Sequence, residues 1–126
     1  MTKKIELTID KKVFVAELND SATAENIFRA LPIQATGSTW GDEIYFGIPV
    51  EVALEDPKEV VEEGDLAYWP PGKAFCIFYG LTPASTDNEI RPASAVNIIG
   101  KMKGDISSLK GKSGSVRVVM QSLQSE

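Results

Sequence analysis

The side chains able to do chemistry in this 126-residue chain fall into a carboxylate group, an aromatic group and a polar loop. Thr39-Trp40-Gly41-Asp42-Glu43 sets an indole beside two carboxylates at the entrance to an apolar run. Such carboxylates could ligate a hard cation together with Glu89, or Gly41 could permit a bend in which Asp42 bonds nearby backbone. No fixed ligand spacing is present, so no metal is assigned. The aromatic group is Tyr45, Phe46, Tyr68, Trp69, Phe78 and Tyr79, densest between Gly64 and Ile90 around Pro70-Pro71-Gly72. These rings either fill and cover a sheet, or wall a partly wet pocket in which Tyr and Trp use their polar handles and the prolines stiffen the rim. The polar segment from Thr82 to Pro92 has the length of a binding loop or a connector; Glu89 and Arg91 are its candidate ligand contacts or a surface ion pair.

Histidine is absent from the chain. That removes Ser-His-Asp and Cys-His nucleophiles, histidine-ligated zinc and the usual general base near neutral pH. Acid–base chemistry would rest on carboxylates, tyrosines, lysines or water. The single cysteine, Cys76, can form no intramolecular disulfide and reads as a buried inert thiol between Phe75 and Ile77. Phosphate-cradling glycine patterns are missing as well. The net charge of −5 opposes nucleic-acid binding, and the cluster Lys101, Lys103, Lys110, Lys112 and Arg117, interrupted by Asp105, reads as a solvated face. No apolar run approaches the roughly 18 residues of a membrane span. Met1–Lys4 leads into a strand pattern instead of a signal-peptide core, so a cytoplasmic location is expected.

These groups must be positioned by short strands. Lys3–Ile9 alternates, with Ile5, Leu7 and Ile9 on one face; a polar turn at Asp10-Lys11-Lys12 and the β-branched run Val13–Leu18 complete a hairpin. From residue 22 the period changes, because Ala24, Ile27, Phe28 and Leu31 share a helical stripe. Asp20, Ser21 and Thr23 are competent caps, and Pro32 ends the helix, placing it at 22–31. Further strand runs follow at Ile33–Thr36, Glu43–Ile48, Asp65–Trp69, Ala74–Tyr79, Val96–Met102 and Ser115–Met120. Eight short strands with one early helix predict a mainly β single domain over 1–126, built as an antiparallel barrel closed or nearly so. Gln121–Glu126 reads as a frayed tail.

Several segments resemble the cyclophilin superfamily. Thr23-Ala24-Glu25-Asn26-Ile27-Phe28-Arg29-Ala30-Leu31 is similar to its first helix with one residue inserted after Asn26. Thr39–Phe46, Gly64–Gly72, Phe78–Pro83 and Val96–Gly100 resemble the atypical prokaryotic cyclophilin-like domains of unknown function. The resemblance implies an eight-stranded cyclophilin-like barrel and covers nearly the whole chain. It does not imply prolyl isomerase activity. Typical cyclophilins polarise the prolyl amide with an arginine in a Phe-His-Arg segment, whereas the corresponding stretch Trp40–Pro49 contains neither histidine nor arginine. Arg29, Arg91 and Arg117 lie in no such motif.

The expected function is therefore a binding module for a small molecule or an extended peptide, at Trp40, Tyr45, Phe46, Tyr68, Trp69, Phe78, Tyr79, Thr82 and Glu89 on the open side of the barrel. No catalytic residue, metal or cofactor is assigned. The alternative is a weak peptidyl-prolyl isomerase acting by desolvation alone. For assembly, a monomer and a weak homodimer through a strand edge or an aromatic surface are both expected, with Lys3, Lys4 and Lys12 opposing edge pairing.

Overall fold

Alternation in the computed structural model, which describes residues 3–123, follows the sequence closely at the first hairpin. Strand β1 (Lys3–Ile9) buries Ile5, Leu7 and Ile9, and β2 (Lys12–Leu18) buries Phe14, Ala16 and Leu18. Asp10 and Lys11 join them with φ of 55° and 105°, the left-handed pair that suits a two-residue hairpin. The Asp10 carboxylate holds this turn, accepting from the Arg117 backbone N–H at 2.8 Å and from Lys112 Nζ at 3.0 Å.

Helix α1 (Ala22–Ala30) starts where Ser21 Oγ accepts from the Ala24 N–H at 3.1 Å, and stops one residue before its expected end because Leu31, ahead of Pro32, is extended. Strand β3 (Ile33–Thr39) runs three residues beyond the predicted Thr36. Gly37, which looks like a break, is instead a point of close approach: a Cβ there would sit 2.9 Å from the Tyr45 carbonyl oxygen of β4 (Glu43–Gly47). Strand β5 (Asp65–Trp69) leads through a 3-10 turn at Pro70–Gly72 into β6 (Ala74–Phe78), followed by β7 (Asn97–Met102) and β8 (Ser115–Ser122). Gln121 and Ser122, expected in a frayed tail, pair with Glu6 and Ile5; residues 124–126 lie outside the described residues.

All eight strands pair antiparallel in a closed barrel of order β1-β2-β7-β5-β6-β4-β3-β8. Closure gives every strand two neighbours. The interior holds Leu7, Ile44, Phe46, Leu66, Tyr68, Phe75, Ile77 and Val118, joined by Ala24 and Ile27 of α1. Phe46 stacks on Phe75 at 5.3 Å between ring centres, and Tyr68 donates its hydroxyl to the Val50 carbonyl at 2.5 Å.

A second apolar cluster lies on the outside of the wall: Ala67, Ala74, Cys76 and Phe78 are covered by Val61, Ile90 and Val96 from the irregular connections. Those connections are anchored by isolated bridges Lys58–Val96 and Val61–Ile90. Asn97 adds a buried network, donating to Thr23 Oγ1 and the Ala53 carbonyl, both at 3.1 Å, and accepting from the Glu55 N–H at 3.0 Å. Among the described residues no helix is long and apolar enough to cross a membrane.

Among the glycines the closest backbone approach is between β7 and β2, where a Cβ on Gly100 would meet the Glu17 carbonyl oxygen at 2.2 Å. Gly100→Ala should lower stability by about 1–3 kcal/mol in urea titrations. Gly47→Ala, whose Cβ would find its nearest neighbour 4.0 Å away, should be close to neutral.

Candidate functional site

The outer wall carries a pocket of about 270 Å³ lined by Trp40, Glu43, Tyr45, Trp69, Cys76, Pro92, Ala93 and Val96. Strand alternation decides which side chains reach it. In β4, Ile44 and Phe46 enter the barrel, so Glu43 and Tyr45 point outward; in β6, Phe75 and Ile77 enter, so Cys76 points outward. Tyr45 pairs with Cys76 across the β4–β6 ladder, which sets the two carboxylate- and thiol-bearing strands side by side.

Trp69 ends β5 and is half-buried. Its Nε1–H donates to Ser94 Oγ at 2.6 Å, and a Cβ on Gly72 would lie 2.8 Å from the indole, so the Pro-Pro-Gly turn folds directly against the ring. Trp40 precedes β4 in a turn closed by its N–H donating to the Glu43 carbonyl at 2.9 Å. Gly41 takes a φ of 63° there, and Asp42 is tied by backbone bonds to Leu81 and Tyr79 at 2.9 Å each. The Asp42 carboxylate packs over Gly80, where a Cβ would come within 2.3 Å of Oδ2. The turn role thus accounts for Asp42, which does not line the pocket.

Glu43 is the exceptional group. It is 5% exposed, and among the described residues no lysine or arginine pairs with it. Burial pushes its carboxyl up to about 7 from an ordinary 4.5, with a hydrogen bond from Cys76 pulling the other way. The Cys76 thiol is raised well above its usual range by burial first and by Glu43 second. Tyr79, whose buried hydroxyl has no hydrogen-bond partner among the described residues, is pushed up to about 12 by burial and then by the charges of Asp42 and Glu43.

The segment from Thr82 to Pro92 is a stapled loop. The Thr82 hydroxyl donates to the Arg91 carbonyl and accepts from the Ala84 N–H at 3.2 Å, while Ser85 Oγ accepts from the Thr82 N–H at 2.9 Å and the Arg91 N–H at 3.1 Å. Glu89 and Arg91 form an exposed ion pair at 2.8 Å.

Of the residues singled out in the sequence, Trp40, Tyr45 and Trp69 line the pocket. Phe46, Tyr68 and Tyr79 belong to the barrel interior, Phe78 to the cluster beneath the outer loops, and Thr82 and Glu89 to the loop staple and its ion pair. The sequence offered Glu43 as a strand-entrance carboxylate able to join a cation site with Glu89, not as a pocket residue, and gave no sign that Cys76, Pro92, Ala93 or Val96 reach the site. The available signal was the i, i+2 relation of Glu43 to Tyr45, which puts both on one face. No group of three or more histidine, cysteine or acidic side chains close enough to hold a metal ion occurs among the described residues.

The family described as Cyclophilin-like matches residues 3–121. The solution structure of the hypothetical protein AF2241 from Archaeoglobus fulgidus is 43% identical, with a TM-score of 0.80 over 95% of this chain and 94% of that one. No curated protein matches in sequence.

The Glu43 carboxyl has a measurable consequence. The folded protein keeps this proton in a range where the unfolded chain has lost it, so the folded state binds more protons and stability falls as pH rises from 4.5 to about 7. Each pH unit in that window costs at most about 1.4 kcal/mol. Glu43→Gln should flatten this part of the stability profile and make the variant more stable than the parent at pH 8, as read by urea midpoints across pH.

Proposed function

This chain belongs to the cyclophilin-like family, and from that premise we propose that it is a ligand-binding module whose site is the outer-wall pocket rather than the mouth of the barrel. The observation that carries the reading is the composition of that pocket: three aromatic side chains and an apolar roof around a single buried carboxyl. Binding sites for small molecules are mostly apolar concavities with a few placed polar groups. At about 270 Å³ this one suits a small molecule or one side chain of an extended peptide laid along the wall. Tyr45, 36% exposed, stands at the rim where an arriving ligand meets it first.

Catalysis of prolyl isomerisation is not part of this reading. The lining contains no arginine to donate to a twisting amide, and removing a preorganised donor typically costs on the order of 10²–10³ in rate.

The test is a two-dimensional NMR titration against a panel of apolar fragments and Xaa-Pro peptides. Shifts should concentrate on the indoles of Trp40 and Trp69 and on residues 92–96, and Trp69→Ala should weaken a binding fragment by about tenfold. Shifts scattered over the surface, or centred on another groove, would overturn the assignment. In a proline-isomerisation assay the protein should stay at background; turnover like that of a typical cyclophilin would remove the non-catalytic half of the proposal.

A further inference from the structure

We propose that the outer-wall pocket recognises a methylated ammonium group, presented by a small molecule or by a methylated lysine of a peptide. This rests on the pocket being the binding site, and it names the chemistry of the occupant.

The pocket wall holds a carboxyl group that has no cationic counterpart among the described residues. A buried carboxylate is normally paired, because an isolated one loses its hydration without compensation. Glu43 has the Cys76 thiol as a neighbour and no cationic side chain paired with it among the described residues. Around it stand Trp40, Tyr45 and Trp69, whose ring faces carry the negative end of a quadrupole and attract cations. A cation in this cavity would meet the carboxylate and aromatic rings together, whereas an anion would be repelled and a neutral apolar group would leave the carboxyl uncompensated.

The rest of the lining selects the kind of cation. A hard metal ion requires several oxygen ligands, but Glu43 and the Tyr45 phenol are the only side-chain oxygens among the lining residues. An unmodified ammonium brings three N–H donors that need acceptors once water is stripped away. A methylated ammonium needs few or none, and its methyl groups fit against Pro92, Ala93 and Val96. The net charge of −5 adds weak long-range attraction of the same sign.

The ionised form of Glu43 is the binding form, which sets a pH dependence. The titratable groups around it are the Tyr45 phenol from its own strand, the Cys76 thiol and the Tyr79 hydroxyl from β6 and its end, and Asp42 beside it in the turn. Trp40, Trp69 and the lining residues of the 92–96 segment contribute none. With Glu43 titrating at about 7, affinity for the cation should fall by up to about tenfold per pH unit below that point and level off above it.

Both tryptophans of the chain line the pocket, so intrinsic fluorescence reports occupancy directly. We would titrate the protein with choline, with a peptide carrying trimethyllysine, and with the carbon isostere of choline in which a tert-butyl group replaces trimethylammonium. Saturable binding of choline or of the peptide, about tenfold or more tighter than the isostere at pH 8, is the expected result, and which of the two cations wins identifies the source. Glu43→Gln should bring cation and isostere affinities together; Tyr45→Leu, at the exposed rim, should weaken the cation by a few fold. If the isostere binds as well as the cations, the proposal fails while the pocket remains a binding site. If no probe binds here but the NMR panel still locates fragments at Trp40 and Trp69, it fails in the same way; if neither method finds a ligand, both readings fail.

Discussion

The wall made by β4, β6 and β5 buries both of its faces, and the rest of the molecule is organised around that requirement. Leu66, Tyr68, Phe75 and Ile77 face the interior while Ala67, Ala74, Cys76 and Phe78 face outward into a second cluster. An antiparallel sheet commonly leaves one face to water, and a wall apolar on both sides must be covered by something else. The coverage comes from the connections between β4 and β5 and between β6 and β7, which supply Val61, Ile90 and Val96. Irregular chain carries backbone groups that need partners, and here they find them in the Lys58–Val96 and Val61–Ile90 bridges and in Thr82, Ser85 and Asn97. The pocket lies where this covering layer stops short of Glu43 and Tyr45.

Glu43 occupies the boundary between covered wall and open pocket, and that position explains its electrostatics. A residue on the same strand face but farther from the cover would be hydrated, as half-exposed Tyr45 is two positions on. A glutamine or leucine at Glu43 would suit the apolar surroundings better for folding alone. Strongly perturbed ionisable groups in clefts tend to mark functional sites. Phe78, its partner across the β4–β6 ladder, has no comparable conflict: it is buried and apolar throughout.

The barrel was legible in the sequence because its signals are local. Period-two alternation in Lys3–Ile9 and Ser115–Met120, the helical stripe of Ala24, Ile27 and Phe28, and the cap at Ser21 all act within a few residues. Boundaries failed where a long-range contact overrode a local preference. The run from Ile33 was expected to end at Thr36, yet Gly37 continues the strand at a point where β4 passes too close for a side chain; Gln121 looked like tail and is held by β1. The site was half legible for the same reason. Aromatic content drew attention to Trp40, Tyr45 and Trp69, but could not separate them from Phe46, Tyr68 and Tyr79, since inside and outside differ only by register. Pro92, Ala93 and Val96 carry no chemical signal of their own and reach the pocket only through the folding of a long connection.

That connection also determines how well the pocket is formed before any ligand arrives. Thr82, Ser85 and Arg91 close the start of the loop on itself, Glu89 pairs with Arg91, and Ser94 accepts from the Trp69 indole, so both the roof and one aromatic wall are held by the same stretch of chain. On the opposite side Gly72 fits under Trp69 and Gly41 shapes the turn that carries Trp40. Binding costs less when rotamer-rich side chains and loops are already fixed, and aromatic walls lose little freedom on contact. Tyr45 at the rim is the most exposed of the three lining aromatics, so adaptation to a ligand's shape would fall chiefly on it.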